Sequence, residues 1–383
     1  LRANEREDLI HYTRQRLALQ LGQAGATPEQ VKSASQILDP NALTLGFARR
    51  FASYKRPNLL LQDKTRLSQL LTDSNKPVQL SIAGKAHPDE AVVQSRIQEW
   101  ILFINQPGIR GHVVFPEDYD IALAQHLVQG IDVWINTPQR PWEASGTSGM
   151  KVLANGGLNL SQLDGWWAEA YAADLGWAVG DGLEHEPEHD AADAEQLYRL
   201  LEEQVVPCFY QRDQQDIPTA WVKRMRRSMS ALVERFSADR TVREYTERYY
   251  LPLSGSYRQR CADGSAASEM LRRITSLRSY WHELAFEQFE WRREGDAQHI
   301  GARLHLGRIE PEKRAVQLFA ESQGAEPANV HTLQLQHHEG SYATFRTELS
   351  TQRPEADYTA RVVPSPALGL AVPLELPLIL WQR

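Results

Sequence analysis

The sequence predicts an α/β fold, a parallel sheet covered by helices, followed by a small all-β sandwich. Three observations carry this expectation. From Leu43 onward, short apolar runs alternate with longer amphipathic stretches, which is the text of successive βαβ units and a Rossmann-like sheet. Past residue 290 the texture changes to short segments of alternating apolar and polar residues separated by turn residues. Between the two lies Pro252–Ser265, rich in Gly and Ser, where a boundary is expected. The expected organisation is therefore a Rossmann-like half over residues 1–252, a linker and helix over 253–290, and a β-sandwich over 291–383.

Composition narrows the class of protein. The 383 residues suffice for two or three domains, each with its own core. Hydrophobic residues make up 42% and charged residues 24%, an ordinary globular balance. The net charge of −7, with both signs interspersed, argues against nucleic acid or an acidic membrane as partner. Cys208 and Cys261 are too few for a disulfide framework and fit no metal-site spacing. With no apolar run long enough to span a bilayer and no signal peptide, the expected location is cytoplasmic.

Taken in order, the chain opens at Leu1, without a methionine, in helical text. Asp8–Leu21 spaces its apolar residues at three and four, and Thr27–Leu38 begins with a Thr-Pro-Glu-Gln cap. This start suggests a piece of a larger protein. Leu43–Phe47 reads as a buried strand, and Ala48–Arg56 as the loop after it. Arg49, Arg50, Lys55 and Arg56 crowd that loop. A basic loop of this kind is either plainly solvated or, at the ends of the strands of an open sheet, a place where anions bind. A helix over Lys55–Leu71, a strand over Val78–Ala83 and the loop Gly84–Pro88 follow. Next come a helix over Ala91–Asn105, a strand over His112–Phe115, a helix over Tyr119–Val128 and a strand over Asp132–Asn136.

The densest stretch is Glu143-Ala-Ser-Gly-Thr-Ser-Gly-Met-Lys151, with a short helix expected from Ser148 to Asn155. Gly146 and Gly149 would let the backbone approach a ligand. Ser145, Thr147 and Ser148 supply hydroxyls, and the unpaired N–H groups of a helix start favour a phosphate. Lys151 lies one turn further on. These features suit a phosphorylated ligand, although taken alone they more readily describe a Gly/Ser turn entering a helix with an exposed lysine. A P-loop is excluded, since its glycine spacing and the hydroxyl residue after its lysine are absent.

The complete string resembles the pyridoxal-phosphate lysine motif of the α-glucan phosphorylases, E-A-S-G-T-x-x-M-K, in the short bacterial and archaeal branch of that family. Further matches are Arg49–Arg56 to K/R-R-x-x-x-Y-K-R, Gly84–Pro88 to G-K-A-x-P, and Asp164–Glu169 with Gly176–Asp181 to the branch's L-D-G-x-x-x-E and G-W-x-x-G-D. Together they cover residues 1–252. The resemblance implies the C-terminal half of a GT-B glycosyltransferase fold and the reversible phosphorolysis of an α-1,4-glucan. Inorganic phosphate would be the co-substrate and glucose 1-phosphate the product.

By the same match, Lys151 anchors pyridoxal 5′-phosphate, whose phosphate rather than aldehyde serves in catalysis. Arg50 and Lys55 hold substrate phosphate. Arg49, Thr147, Ser148 and Tyr119 contact the cofactor, while Glu143, Ser145 and Gly146 bind glucose hydroxyls. Tyr119 is also an ordinary core residue in appearance. Asp120 departs from the arginine that many members carry at that position. Trp166 and Trp167, beside carboxylates, suit either sugar rings or a core. The resemblance leaves room for a homo-oligomer.

The acidic run Glu184–Asp190 reads as a solvated loop rather than a metal site. Helices are expected at Ala194–Val205, Pro218–Phe236, Thr241–Tyr249 and Ala266–Phe289. Strands are expected at Ala302–Leu306, Ala315–Phe319, Thr332–Gln336, Tyr342–Leu349 and Asp357–Val363, with no catalytic constellation among them. Two rival functions remain: a nucleotide-sugar glucan synthase, and a non-catalytic fragment that binds cofactor or glucan.

Overall fold

The structure is a computed structural model that describes residues 1–186, 189–294, 297–322, 328–351, 353–365 and 376–382. Two compact units emerge, Leu1–Val242 and Arg243–Arg383.

The first unit is built on six parallel strands: β1 (Leu43–Ala48), β2 (Val78–Ala83), β3 (Val113–Val114), β4 (Val133–Asn136), β5 (Leu158–Gln162) and β6 (Trp177–Val179). Their order is β3-β2-β1-β4-β5-β6, the doubly wound arrangement with its reversal between β1 and β4. β1, β2, β4 and β5 are buried at every residue, as strands covered on both faces must be. Leu45, Ile82, Val133 and Leu160 from the sheet share one core with Trp100, Phe103, Leu197 and Trp221 from the surrounding helices.

Helices α1 (Arg2–Gln23), α2 (Pro28–Ser33), α3 (Lys64–Thr72), α4 (Ala91–Ile104) and α5 (Ile121–Gly130) precede the dense motif, which opens α6 (Thr147–Ala154). Then follow α7 (Gly165–Ala170), α8 (Asp190–Leu200), α9 (Val206–Tyr210), α10 (Thr219–Leu232) and α11 (Ala238–Tyr245). A π-helical turn, Leu201–Val205, joins α8 to α9. Arg6 ties α1 to the sheet through Asp132 at 2.9 Å, and Asp132 also accepts the Thr44 N–H at 3.0 Å.

Three local expectations are corrected here. The cap at Thr27 forms as a full capping box, yet α2 ends at Ser33 and gives way to a 3-10 turn over Ala34–Gln36. No continuous helix runs from Lys55 to Leu71. Pro57 disfavours helical backbone at Arg56, which sits instead in the left-handed region at φ 45°, between 3-10 turns at Ser53–Lys55 and Leu59–Asp63. The helix expected from Tyr119 starts at Ile121, because Asp120 caps it by accepting the Leu123 N–H at 2.8 Å. That cap, with an ion pair to Arg16 at 3.2 Å, gives Asp120 a structural task of its own.

In the second unit, the Gly/Ser-rich stretch expected to be a linker is mostly helical. A π-helical turn at Thr246–Tyr250 runs into α12 (Leu251–Cys261), with Pro252 as its second residue. α13 (Ser265–Tyr280) stops well short of Phe289, and residues 285–294 form a strand that the sequence reading missed.

Among the described residues seven antiparallel strands follow: β7 (Ala285–Glu294), β8 (Ala297–His305), β9 (Arg314–Ala320), β10 (Asn329–Glu339), β11 (Tyr342–Leu349), β12 (Tyr358–Pro364) and β13 (Leu380–Trp381). They pair in one order, β13-β12-β9-β10-β11-β8-β7. The sheet curls on itself: Trp291 of β7 meets Tyr358 of β12 with ring centroids 5.7 Å apart, although those strands lie near opposite ends of the order. The sandwich-like core is thus enclosed by one sheet, with Leu277 of α13 added to it. Burial alternates along β8 and β9, one face in and one face out.

Candidate active site

All six parallel strands end at one edge, and the loops leaving it carry the predicted residues. Arg49, Arg50 and Lys55 follow β1, Gly84–Pro88 follow β2, Glu143–Lys151 follow β4 and Asp164 follows β5. In an open α/β sheet the crevice forms at this edge, where the strand order reverses.

Arg49 spans that reversal. Its Nη1 donates to Asn136 Oδ1 at the end of β4, and its Nη2 donates to Glu143 Oε2 at 2.5 Å. Asn136 in turn donates to Ser161 Oγ of β5 at 3.1 Å. Lys55 Nζ lies 3.6 Å from the same Glu143 oxygen, so two cations share one carboxylate and the cluster keeps a net positive charge. All three side chains are nearly inaccessible, with relative exposures of 10% for Arg49, 11% for Lys55 and 9% for Glu143. Charges so sheltered interact strongly because little water screens them. Tyr119 stands near Arg49. Burial pushes its phenol above the usual range, opposed by the Arg49 charge, so the hydroxyl stays neutral at ordinary pH.

The loop over Glu143–Gly146 is held from the next strand. Asp164 Oδ2 accepts the Glu143 N–H at 2.9 Å, and Ser145 O accepts the Trp166 N–H at 2.9 Å. Gly146 then takes φ 93°, a left-handed conformation costly for any side chain, and turns the chain into α6. Thr147 and Ser148 stand in the first turn of α6, where backbone N–H groups have no partner within the helix. Lys151 is exposed on α6, and Arg50 is exposed after β1. Ser145 and Gly146 are half-buried.

The structure therefore brings together Arg49, Lys55 and Glu143, with Tyr119 close by and Ser145–Ser148 continuous with Glu143. Among the described residues, the side chains of Arg50 and Lys151 make no hydrogen bond or ion pair that would draw them into that cluster. Their chemistry is that of free cations at the same sheet edge.

Several assignments change. Gly149 does not face a ligand: it is buried, and a Cβ there would lie 2.5 Å from Asn159 Oδ1, so its smallness lets α6 approach β5. Trp166 and Trp167 are buried in an apolar cluster with Leu153 and Leu232 and offer no face to a sugar. His87 is an exposed residue beside Asp89 at 3.7 Å. Arg56, though one of the four crowded cations, is a strut: it donates to Thr137 O, Pro138 O, Gln162, Asp190 and Asp193 at 2.7–3.0 Å. No group of His, Cys, Asp and Glu suited to a metal occurs among the described residues, and Pro187 and Glu188 of the acidic run lie outside them. No helix of the described residues is long and apolar enough to cross a membrane.

Sequence reasoning missed Asn136 and Asp164 as supports of the site. The Asp164-Gly165 dipeptide was a legible turn signal. Nothing near Asn136 in the sequence announced that its partner would be Arg49, 87 positions away.

Residues 27–173 match the family described as carbohydrate phosphorylase, and residues 281–383 match the glycogen phosphorylase C-terminal domain. A glycogen phosphorylase of Mycobacterium tuberculosis is 36% identical over 381 residues, covering 95% of this chain and 44% of its own. A glycogen phosphorylase of Aquifex aeolicus is 41% identical over 245 residues, 64% of this chain and 35% of its own. A maltodextrin phosphorylase of Thermococcus litoralis is 34% identical over 305 residues, 78% of this chain and 36% of its own. The chain thus spans less than half the length of these relatives.

Proposed function

The chain belongs to the carbohydrate phosphorylase family, and from that premise we propose that it forms the cofactor- and phosphate-binding half of an α-1,4-glucan phosphorylase. Such an enzyme moves a terminal glucose from the glucan to inorganic phosphate and releases glucose 1-phosphate. The observation that carries the reading is the join between two motifs far apart in sequence. Arg49 and Lys55 close on Glu143, the first residue of the string that ends in Lys151.

The donor set fits pyridoxal 5′-phosphate. Lys151 offers an exposed amine, the start of α6 offers free N–H groups, and Arg49 and Tyr119 stand near one another. When bound, the cofactor supplies a phosphate that serves as a proton donor and acceptor beside the substrate phosphate. Two phosphates side by side repel each other. Arg49, Arg50, Lys55 and the first N–H groups of α6 are the groups of this chain that offset that repulsion.

Glu143 is already at the cations, so an entering phosphate competes with its carboxylate for Arg49 and Lys55. The released carboxylate is then free to accept hydrogen bonds from sugar hydroxyls. Ser145 and Gly146, fixed by the Asp164 and Trp166 bonds, keep that loop in place for the sugar. The location that follows from this metabolic role is cytoplasmic.

The test is incubation with pyridoxal phosphate, borohydride reduction and peptide mapping. Label on Lys151 is the expected result, and absence of label from the folded chain sinks the proposal. Phosphate-dependent release of glucose 1-phosphate then distinguishes turnover from binding alone.

A further inference from the structure

The second unit carries a pocket that the first unit's chemistry does not use. At the β13 edge of the curled sheet, Trp381, Arg361 and Gln317 lie in one lateral row across β13, β12 and β9, with Thr359 and Phe319 paired in a row nearby. Trp381 is 40% exposed. Its ring meets Phe319 at 5.9 Å between centroids, with planes 63° apart. The Arg361 guanidinium covers Phe319 at 4.3 Å and approaches Trp381 at 5.5 Å, while its Nε donates to Gln317 at 3.0 Å. These contacts hold both rings in fixed orientation before any ligand arrives.

Beside the rings lies a cavity of about 310 Å³, bordered by Glu321, Ser322, Asp357 and Thr359 as well as Phe319 and Trp381. Arg353 braces one wall, donating to Asp357 at 3.2 Å and to the Glu321 carbonyl. Glu321 and Asp357 balance the braced Arg353 and the Arg361 that lies against the rings, so the surroundings hold no excess positive charge to draw an anion. Hydroxyl and carboxylate groups around an aromatic face suit a neutral polyol, which stacks its C–H face on a ring and donates its hydroxyls to carboxylates.

We propose that this pocket binds a glucosyl segment of an α-glucan, separately from the site at the parallel-sheet edge. The identity of the sugar rests on the phosphorylase reading; the aromatic and carboxylate geometry does not. A second hold on a polymer raises the local concentration of its chain ends, which is useful to an enzyme that shortens them one unit at a time.

The experiment is native affinity electrophoresis of the whole chain through gels containing glycogen, with maltoheptaose and inorganic phosphate as soluble competitors. The wild type should be retarded, and maltoheptaose but not phosphate should relieve it. Trp381→Ala should weaken binding at least about fivefold, as for truncation of a central aromatic anchor. Trp381→Tyr should restore most of it. Glu321→Gln, a change at an exposed position, checks the pocket without disturbing β13 and should also weaken retardation.

Unretarded wild type, an unaffected Trp381→Ala, or a Tyr variant no better than Ala would each overturn the proposal. Pyridoxal-phosphate labelling of Lys151 in the same samples keeps the two readings apart. Retardation without label leaves the pocket standing and removes the phosphorylase assignment, and label without retardation does the reverse.

Discussion

The two sheets of this molecule handle charge in opposite ways. In the parallel sheet, β1, β2, β4 and β5 are buried at every residue, so polar chemistry has nowhere to go but the ends of the strands. There Arg49, Lys55, Glu143 and Asp164 gather, each nearly inaccessible and each with a partner from another loop. In the antiparallel sheet burial alternates along β8 and β9, and polar residues such as Gln317, Thr359 and Arg361 lie on the outer face beside Phe319 and Trp381. A doubly covered sheet concentrates reactive groups at one edge. A singly covered sheet offers a platform, suited to holding a ligand and poorly suited to excluding water from one.

The sharpest way to break that contrast is at the edge itself. Lys151→Ala should abolish pyridoxal-phosphate labelling completely and leave thermal stability unchanged, because the side chain is exposed on α6. Label retained at another lysine would show that the edge is not specialised.

Arg56→Ala is next in size. It removes five hydrogen bonds and leaves Asp193 buried without its cation, a change worth about 3–5 kcal/mol. Denaturant unfolding of the first unit should move accordingly; a shift below about 1 kcal/mol would mean that Arg56 is not the strut described, set against the usual range for point changes.

Arg50→Ala is expected to be milder still and purely functional. Phosphate binding measured by calorimetry should weaken about tenfold, as for loss of a charge-assisted hydrogen bond, while Lys151 labelling persists. Phosphate affinity equal to wild type would remove Arg50 from the phosphate site.

The smallest effect is predicted in the second unit. Arg314 is buried beside the Phe345 ring and donates to the carbonyls of Ile309 and Glu310, while its Nε and Nη2 have no hydrogen-bond partner among the described residues. Burial lowers its pKa to about 10, against a weaker raising influence from Glu312. A depressed basic group disfavours the folded state while charged. That cost is present below about pH 10 and eases only as pH rises above it, where the folded arginine sheds its proton while the unfolded chain still holds it. Arg314→Met should therefore be close to neutral at pH 7, within about 1 kcal/mol or mildly stabilising, in contrast to Arg56→Ala. A large loss of stability would show that this charge, too, is structurally needed.

The sequence by itself determined what depends on neighbours along the chain. The alternation of apolar runs specified the strands β1 to β4 and most of the helices between them, because side-chain period is a local property of strand and helix. The string from Glu143 to Lys151 pointed to its family and to a helix start, since caps, left-handed glycines and turn hydroxyls act within a few residues of one another. Tertiary structure decided everything that needed a partner from elsewhere. Four cations within eight residues looked alike in sequence, yet Arg49 bonds Asn136 and Glu143, Lys55 leans on Glu143, Arg56 is consumed by Asp190 and Asp193, and Arg50 stays exposed. Trp166 and Trp167 became core and Trp381 became surface for the same reason. Burial and ion pairing are set by which distant segments the fold brings within a few ångströms, and no local pattern encodes that distance.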